Sequence, residues 1–367
     1  MTTVRVLAAG IDTIHASAAG TLRAGLKEEL VDLRVRAGED GLAVDLGANP
    51  EGFILQPHGW RGYAIWLRSA RIELMLGAAD PFPPVFIQWH SPFIHAYGVR
   101  NAVPMVEDWL DHAVMEARAP LGVSRLDLYC DLQGWKPRVG DLDRFVCRAM
   151  RRTLFEVPRQ THLVGRRFSG FTFGKGDVVC RVYDKTLQMA GRGENWQEEV
   201  WTARDQELPV WRVEFQFRRR ALRRFGLETL EQALDSRQSL WVYATEWLSL
   251  REPDADGNRS RWVEAPSWRA IRDARLGAPC SPVVPIRRRE ASQERLIRGF
   301  LGYASSLGAI GPDQELDQVL RWAGALSARH LRETGCDFRE LVEAKRSRTV
   351  AERLFRLQRQ ARDGVAG

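Results

Sequence analysis

The sequence predicts an α+β protein: pseudo-duplicated antiparallel-sheet units with flanking helices, followed by a small all-α C-terminal domain. Short runs in which apolar and polar residues alternate are typical of strands with one buried face. Other runs carry apolar residues at the 3.6-residue spacing of amphipathic helices. These runs occur twice in the same order, because residues 1–120 and residues 121–276 each pass from a strand through a helix and further strands to a closing helix.

The first unit, residues 1–120, is predicted to begin with a strand near Val4–Ala16 and a helix near Thr21–Val35. It closes with a helix near Ala102–Arg118. Short strands are predicted between these helices, near Gly52–Gln56, Tyr63–Arg68, Arg71–Leu76 and Val85–His90. The segment Gly10-Ile11-Asp12-Thr13 is locally similar to Arg125-Leu126-Asp127-Leu128, which supports a duplication.

The second unit, residues 121–276, is predicted to begin with a strand at Val123–Leu132 and a helix at Leu142–Leu154. Strands follow near His162–Arg166, Gly170–Phe173, Val178–Lys185 and Val210–Arg218. A helix from Ala221 leads into a Leu- and Trp-rich helical extension over residues 226–275. The pattern leaves open whether the two sheets join edge to edge or face each other.

Residues 277–289 are predicted to be a linker, because they contain Pro279, Pro282 and Pro285 and then the basic run Arg287-Arg288-Arg289. The remaining residues, 290–367, are predicted to form a basic helical domain with breaks near Gly308–Pro312 and Gly335. Its apolar residues recur at helical spacing, so we expect them to be buried in its core or against a partner.

Composition narrows the functional class. The chain has 367 residues, is 44% hydrophobic and carries a net charge of +7, with its positive excess in residues 139–224 and 286–367. This charge favours a polyanionic partner, nucleic acid first. No apolar stretch is long enough for a membrane span and no secretory leader is present, so a cytoplasmic location is expected and a membrane partner is not. The five scattered cysteines predict neither a disulfide framework nor a cysteine zinc site.

Three predicted strands place charged or nucleophilic side chains at alternate positions, so that each set points to one face. The sets are Arg125, Asp127, Tyr129 and Asp131; Arg181, Tyr183 and Lys185; and Arg212, Glu214 and Gln216. If the strands are neighbours, one face of the sheet carries a tyrosine, carboxylates and cations together. Phosphodiester chemistry needs this inventory: a nucleophile, oxygen ligands for a divalent metal, and positive charges for a phosphate.

The motif residues resemble a known family. Phe173-Gly174-Lys175-Gly176, the segment Arg181–Lys185 and Trp211-Arg212-Val213-Glu214-Phe215 together resemble the replication initiation factors of rolling-circle plasmids, phages and integrative conjugative elements. The Arg125-Leu126-Asp127 strand and the Leu240–Leu248 segment are similar to the same group. The resemblance covers roughly residues 5–250 and leaves out the C-terminal domain.

The resemblance implies an enzyme, a metal-dependent, site-specific DNA endonuclease and strand transferase that starts rolling-circle replication. Such proteins nick one strand of single-stranded or cruciform origin DNA, keep the 5′ phosphate on a tyrosine and use Mg²⁺ or Mn²⁺. It implies that Tyr183 is the nucleophile, with Lys185 and Arg181 as further catalytic residues. The implied metal ligands are Asp127, Glu214 and Asp131. The implied DNA-binding residues are Arg125, Arg166, Arg167, Lys175, Arg212 and Arg218. A helicase, the host polymerase and a second copy of the chain are expected partners.

The sequence departs from the family pattern at Gln188, where an acidic residue is common. No His-hydrophobic-His pair occurs, so the histidine-ligated metal site of other nicking enzymes is not expected. Tyr129 is a competing nucleophile on the same strand face as Asp127. Two other functions stay open: a DNA-binding regulator of a mobile element with this fold and no nicking activity, and a tyrosine recombinase, which would cut duplex DNA and leave a 3′ phosphotyrosine.

Overall fold

The structure is a computed structural model of the chain. It describes residues 4–36, 38–47, 51–78, 82–147, 160–164, 167–192, 196–278, 280–283, 285, 293–311 and 315–343. The chain divides into two compact units, Met1–Ile286 and Arg287–Gly367.

Fifteen strands are found among the described residues. They are β1 Arg5–Ala18, β2 Gly20–Leu22, β3 Leu42–Val44, β4 Phe53–Leu55, β5 Tyr63–Arg68, β6 Ile72–Ala78, β7 Val85–Trp89, β8 Met115–Arg118, β9 Gly122–Gln133, β10 Phe145–Cys147, β11 Gln160–Val164, β12 Arg167–Phe173, β13 Val178–Asp184, β14 Trp211–Arg218 and β15 Leu248–Leu250.

The α-helices of the described residues alternate with these strands. They are α1 Leu26–Arg36, α2 Ser91–Tyr97, α3 Val99–Trp109, α4 Lys185–Arg192, α5 Gln197–Val200, α6 Arg219–Arg224, α7 Leu230–Asp235, α8 Arg237–Trp247, α9 Pro266–Arg272, α10 Gln293–Ile310 and α11 Leu316–Thr334. A π-helical turn follows α3 at Leu110–Val114, and 3₁₀ turns lie at Val139–Arg144 and Arg259–Arg261. Within the described residues, no helix has the length and apolar character needed to span a bilayer.

Eleven of the strands form one antiparallel sheet in the order β11-β12-β13-β14-β9-β1-β7-β6-β5-β4-β3. The two long strands, β1 and β9, pair in the middle. On each side, the next strands are the later ones of the same predicted unit, in reverse chain order. The α+β fold class is therefore confirmed, and the predicted duplication is visible in the strand order. Of the two arrangements left open, the sheets join edge to edge.

One face of this sheet is apolar and is covered by helices. Residues such as Ile65, Ile87, Leu128 and Phe215 are fully buried there. They belong to one continuous core with apolar residues of α1, α3, α8 and α9, including Trp241. The opposite face carries the alternate residues of the same strands, because side chains alternate across a strand. The candidate site lies on this second face.

The prediction of a helix at Leu142–Leu154 is wrong over the residues that the structure describes. Val139–Arg144 is a 3₁₀ turn, and Phe145–Cys147 is a strand paired with Leu248–Leu250. Phe145 is buried, with its ring 4.6 Å from that of Phe173 and 5.5 Å from that of Trp268. Tertiary burial of this aromatic side chain decides the local structure here. The rest of the predicted helix, residues 148–154, lies outside the described residues.

Two other predicted helices differ at their ends. The helix predicted from Thr21 begins at Leu26, because Gly20–Leu22 pairs with Met115–Arg118 as a strand. The same pairing ends the helix predicted to reach Arg118. In the C-terminal unit, α10 and α11 contact each other, and residues 338–343 are helical. The arginine-rich segment that follows lies outside the described residues.

Candidate active site

Strands β13, β14 and β9 are neighbours in the sheet, as the alternation pattern requires for a shared site. In one cross-strand row, Tyr183 pairs with Arg212, which pairs with Asp131. In the next row, Arg181 pairs with Glu214, which pairs with Tyr129. Directly paired residues point to the same face and lie about 5 Å apart. The register therefore places Tyr183, Glu214 and Asp131 in two adjacent rows with two arginines, whereas Asp127 pairs with Gln216 further along β9.

Tyr183 and Glu214 form the central pair of the site. The Tyr183 hydroxyl donates a hydrogen bond to Oε2 of Glu214 at 2.9 Å, and Arg181 donates to Oε1 of the same carboxylate at 2.9 Å. Arg181 also donates to the side-chain oxygen of Gln216. Burial and the negative charge of Glu214 raise the pKa of Tyr183 well above its usual value. The resting phenol therefore keeps its proton and directs it at a carboxylate that can accept it.

Arg212 is buried and links two acidic residues from different strands. It donates to both carboxylate oxygens of Asp131, at 2.6 and 2.8 Å, and to Oδ1 of Asp12 at 2.5 Å. The indole of Trp201 donates to Asp131 at 2.9 Å. Only 1% of the Arg212 side chain is exposed. In this arrangement Arg212 therefore holds the two carboxylates in place from within the protein. A direct contact between Arg212 and DNA stays a prediction.

Asp12 is the main site residue that the sequence analysis did not select. It lies on β1 beside β9, and its pKa lies below the usual value although burial acts to raise it, because Arg212 and Lys185 lie nearby. The hydroxyl of Ser91 donates to it at 2.9 Å. The sequence feature that could have indicated Asp12 is the similarity between its segment and the segment around Asp127. When two duplicated strands pair with each other, corresponding residues lie close to the pseudo-symmetry axis that relates the two strands.

Asp127 is buried beside Arg125, whose guanidinium donates to both carboxylate oxygens. Burial raises the pKa of Asp127 to about 7, while Arg125 acts in the opposite direction. About a quarter of the Arg125 side chain is exposed, at 27%. Arg125 can therefore meet a phosphate at the surface, whereas Asp127 lies beneath it.

The three predicted metal ligands do not converge on one point. Asp127 and Asp131 are separated by about 13 Å along β9, and each faces its own arginine, Arg125 or Arg212. Glu214 already binds Arg181 and Tyr183. Within the described residues, no group of three or more His, Cys, Asp or Glu side chains is placed to hold a metal ion. The arrangement does not fit a divalent ion as it stands, so Mg²⁺ or Mn²⁺ stays a prediction.

Lys185 is the first residue of α4 and lies over the site. Its ammonium nitrogen is 5.9 Å from the centre of the Tyr183 ring and donates to the side-chain oxygen of Gln188 at 2.6 Å. Gln188, the departure from the family pattern, thus holds the lysine in place. Burial and the neighbouring Arg212 lower the pKa of Lys185 to about 8, although Asp12 and Asp131 act to raise it.

Replacing Lys185 with methionine is expected to stabilise the protein at pH 7. Unfolding restores the usual lysine pKa of about 10.4, so below pH 8 the folded state holds a buried charge that the unfolded state hydrates freely. Between pH 8 and 10.4 the unfolded state binds more protons, and wild-type stability rises with pH. The advantage of Lys185→Met, on the order of 2–3 kcal/mol at pH 7, should therefore shrink over that range in urea unfolding. Exposed Lys175→Met is the control, and an advantage independent of pH would contradict the prediction.

Two of the remaining predicted DNA-binding residues lie on the described surface near the site. Lys175 is exposed in the turn between β12 and β13, and Arg218 is exposed at the end of β14. Arg167 is the first residue of β12. Arg166 lies outside the described residues. The exposed positions of Lys175 and Arg218 are suited to contacts with a phosphate backbone.

Tyr129, the competing nucleophile, is more deeply placed than Tyr183. It is 2% exposed, and its ring lies 4.1 Å from the Arg212 guanidinium carbon. A hydrogen bond of 3.1 Å joins its hydroxyl to Nε2 of His95. Burial and the charge of Asp131 raise the pKa of Tyr129. Its surroundings indicate a packing role beneath the site.

Comparisons with known proteins show a likeness among solved structures. No protein-family model matches the sequence, and no curated protein matches it. Among solved structures, the chain is similar to the rolling circle replication initiator protein from Geobacillus stearothermophilus, with a TM-score of 0.45 and 14% sequence identity. The likeness covers 75% of this chain and 99% of that one.

Proposed function

We propose that this protein cuts single-stranded DNA, or one strand of extruded DNA, and keeps the 5′ phosphate on Tyr183. The observation that carries the proposal is the hydrogen bond of 2.9 Å from the Tyr183 hydroxyl to Glu214, on a sheet face that also holds Arg181, with Lys185 at the start of α4 close to the Tyr183 ring. A nucleophile within hydrogen-bond reach of a base, with cations around it, is the arrangement that transesterification of a phosphodiester needs. The basic charge of residues 139–224 supports a nucleic-acid substrate.

In the proposed step, Glu214 takes the proton from the Tyr183 hydroxyl as the phenolic oxygen attacks phosphorus. A bond forms between that oxygen and phosphorus, and the bond from phosphorus to the 3′ oxygen breaks. The 3′ oxygen leaves with the electron pair and takes a proton from Lys185 or from water, giving a 3′ hydroxyl. Arg181 and Arg125, both partly exposed, are placed to stabilise negative charge on the phosphate. The bond energy stays in the phosphotyrosine, so the strand can be rejoined.

The proposal is tested by incubating the protein with labelled single-stranded DNA that covers the regions flanking its own gene, with Mn²⁺ or with EDTA. A denaturing gel then detects covalent adducts. We expect a 5′-linked adduct with wild type and with Tyr129→Phe, and none with Tyr183→Phe. Tyr129→Phe is the matched control, since it removes a hydroxyl from the same sheet face. An adduct that survives in Tyr183→Phe and disappears in Tyr129→Phe would refute the assignment.

A DNA-binding protein without nicking activity is the second candidate. One observation favours it: the buried carboxylates are each neutralised by an arginine, Asp127 by Arg125 and Asp131 by Arg212. Such ion pairs also hold a purely structural sheet face together. Retention of the flanking DNA with no adduct, in Mn²⁺ and in EDTA, would favour this function.

A further inference from the structure

The hairpin turn before β5 holds an arginine in an unusual backbone conformation. Trp60 and Tyr63 exchange two backbone hydrogen bonds, of 3.0 and 2.9 Å, around the two residues Arg61 and Gly62. Both turn residues have positive φ, 45° and 90°. Two-residue turns of this type strongly prefer Asn-Gly, because asparagine and glycine tolerate positive φ and other side chains resist it. Such a strained residue often serves a function.

The strained turn places the Arg61 guanidinium on an aromatic stack. Its carbon lies 4.5 Å from the centre of the Trp60 ring. Trp60 stacks in turn on Phe86, with centroids 6.3 Å apart and the planes within 22° of each other, and His15 meets the edge of Phe86 at 5.7 Å. Arg61 is exposed, while Trp60 and Phe86 are half-buried. An aromatic stack with a cation on its outer side thus lies at the surface of the first predicted unit.

A second arginine and tryptophan lie on the same sheet face. The Arg68 guanidinium is 5.8 Å from the Trp66 ring, and Trp66 is linked to Phe86 by the cross-strand row through Met75. Arg68 is 57% exposed. Glu73, which is 13% exposed, accepts from the Trp66 indole and forms an ion pair of 3.6 Å with Arg68. Arg61 therefore supplies most of the outward positive charge of this surface, with a smaller share from the more exposed partner of the ion pair.

The electrostatics of His15 agree with this surplus of positive charge. Burial, together with the charges of Arg125, His90 and Arg61, lowers the pKa of His15 to about 3. Arg125 is the cross-strand neighbour of His15. The patch therefore continues along one sheet face to the Arg125–Asp127 pair of the candidate site.

We propose that Trp60, Phe86 and Trp66, with Arg61 and Arg68, form a platform on which unpaired bases of a DNA strand stack. Arg61 and Phe86 both lie against the Trp60 ring, so a base stacks there by displacing the Arg61 guanidinium, which then holds a phosphate between bases. A duplex hides the faces of its bases, so the platform selects unpaired DNA. The inference rests on the proposed function in one respect: the strand held here is the one that Tyr183 attacks.

The platform is separate from the site of chemistry. Tyr183 lies in the cross-strand row that runs over Arg212 and Asp131 to Ala8 of β1. Phe86 instead pairs with Ser17, at the other end of β1. Ala8 and Ser17 are about 30 Å apart along the strand, and the platform lies about 19 Å across the sheet from Tyr183. Substitutions in the platform should therefore change DNA affinity and leave the chemical step unchanged at saturating DNA.

The test measures binding by fluorescence anisotropy in the Tyr183→Phe background, with a labelled 30-nucleotide oligothymidine and a 30-base-pair duplex at about 0.1 M salt. Trp60→Ala should weaken single-strand binding about 5- to 150-fold and change duplex binding by less than about twofold. Arg61→Asn restores the preferred turn, so it should raise the Tm while weakening single-strand binding about 2- to 30-fold. Exposed Arg36→Asn removes the same charge elsewhere and should leave the affinity within about twofold of the Tyr183→Phe parent.

A higher Tm with unchanged single-strand affinity in Arg61→Asn would overturn the platform, as would equal losses on single strand and duplex in Trp60→Ala. These failures can be told apart from failure of the nicking proposal. If wild type forms no adduct and Trp60→Ala still loses single-strand affinity, the platform stands and the nicking function falls. If adducts form and Trp60→Ala keeps both rate and affinity, the nicking function stands and the platform falls.

Discussion

Replacing Arg212 with methionine is expected to lower the free energy of unfolding by about 3–5 kcal/mol. Methionine fills much of the same space but removes the guanidinium that neutralises Asp131 and Asp12. Asp131 is 1% exposed, so water cannot take over that role without opening the sheet. A buried carboxylate left without its partner is costly, which makes the loss larger than the value of the ion pair itself.

Arg218→Met is the control, because Arg218 lies on the same strand with its side chain exposed. It should change stability by no more than about 0.5 kcal/mol. Urea unfolding followed by tryptophan fluorescence measures both variants. Adding Asp131→Asn to Arg212→Met should recover part of the lost stability, because the double variant has one unpaired buried charge fewer. Equal stabilities of Arg212→Met and Arg218→Met would show that the buried ion pairs do not hold the sheet together.

Period-two alternation predicted which side chains of β9, β13 and β14 share a face. This part of the site could be found from sequence, because a strand has only two faces and the apolar residues identify the buried one. The cross-strand pairing of Tyr183 with Arg212 could not be predicted in this way. It depends on the order of strands in the sheet, which alternation within a single strand does not contain.

The link from Arg212 to Asp12 lay beyond prediction for the same reason. The two residues are 200 positions apart in the chain, and they meet only because β1 and β9 pair at the centre of the sheet. The similarity around Asp127 suggested that the strands correspond, but not that they touch. Likewise, no local sequence pattern predicts that Arg61 occupies a turn position suited to asparagine. The strained backbone conformation of Arg61 persists only because the surrounding folded structure holds it.

The sequence also did not show that each of the predicted metal ligands faces an arginine. Asp127, Glu214 and Asp131 each have an arginine nearby along the chain or on a neighbouring strand. The same residue types suit a divalent ion or a set of ion pairs, and only geometry separates the two. In the described arrangement the carboxylates face arginines, so the proposed chemistry centres on Glu214.

Glu214→Gln is expected to slow formation of the Tyr183 adduct by about 10²- to 10⁴-fold, the range of contributions from a positioned general base. Glutamine keeps the size of the side chain, and its amide oxygen can still accept the hydrogen bond from Tyr183, while its NH2 group replaces the oxygen that accepts from Arg181. The geometry of the pair should therefore survive, while the capacity to take the proton is lost. Single-turnover measurements at saturating DNA isolate this step from binding.

Gln216→Met is the matched control for this effect. Gln216 lies two residues further along the same strand and accepts a hydrogen bond from the same Arg181, at 2.9 Å, but it does not contact Tyr183 in the structure. Its loss should slow adduct formation by less than about tenfold, because Arg181 keeps its bond to Glu214 and a typical hydrogen bond contributes only about 0.5–1.5 kcal/mol. A rate in Glu214→Gln close to that of Gln216→Met would show that Glu214 orders Arg181 and does not act as the base. The proton of Tyr183 would then need another acceptor on the same face, and Asp131, which lies in the same cross-strand row as Tyr183, would be the first to replace.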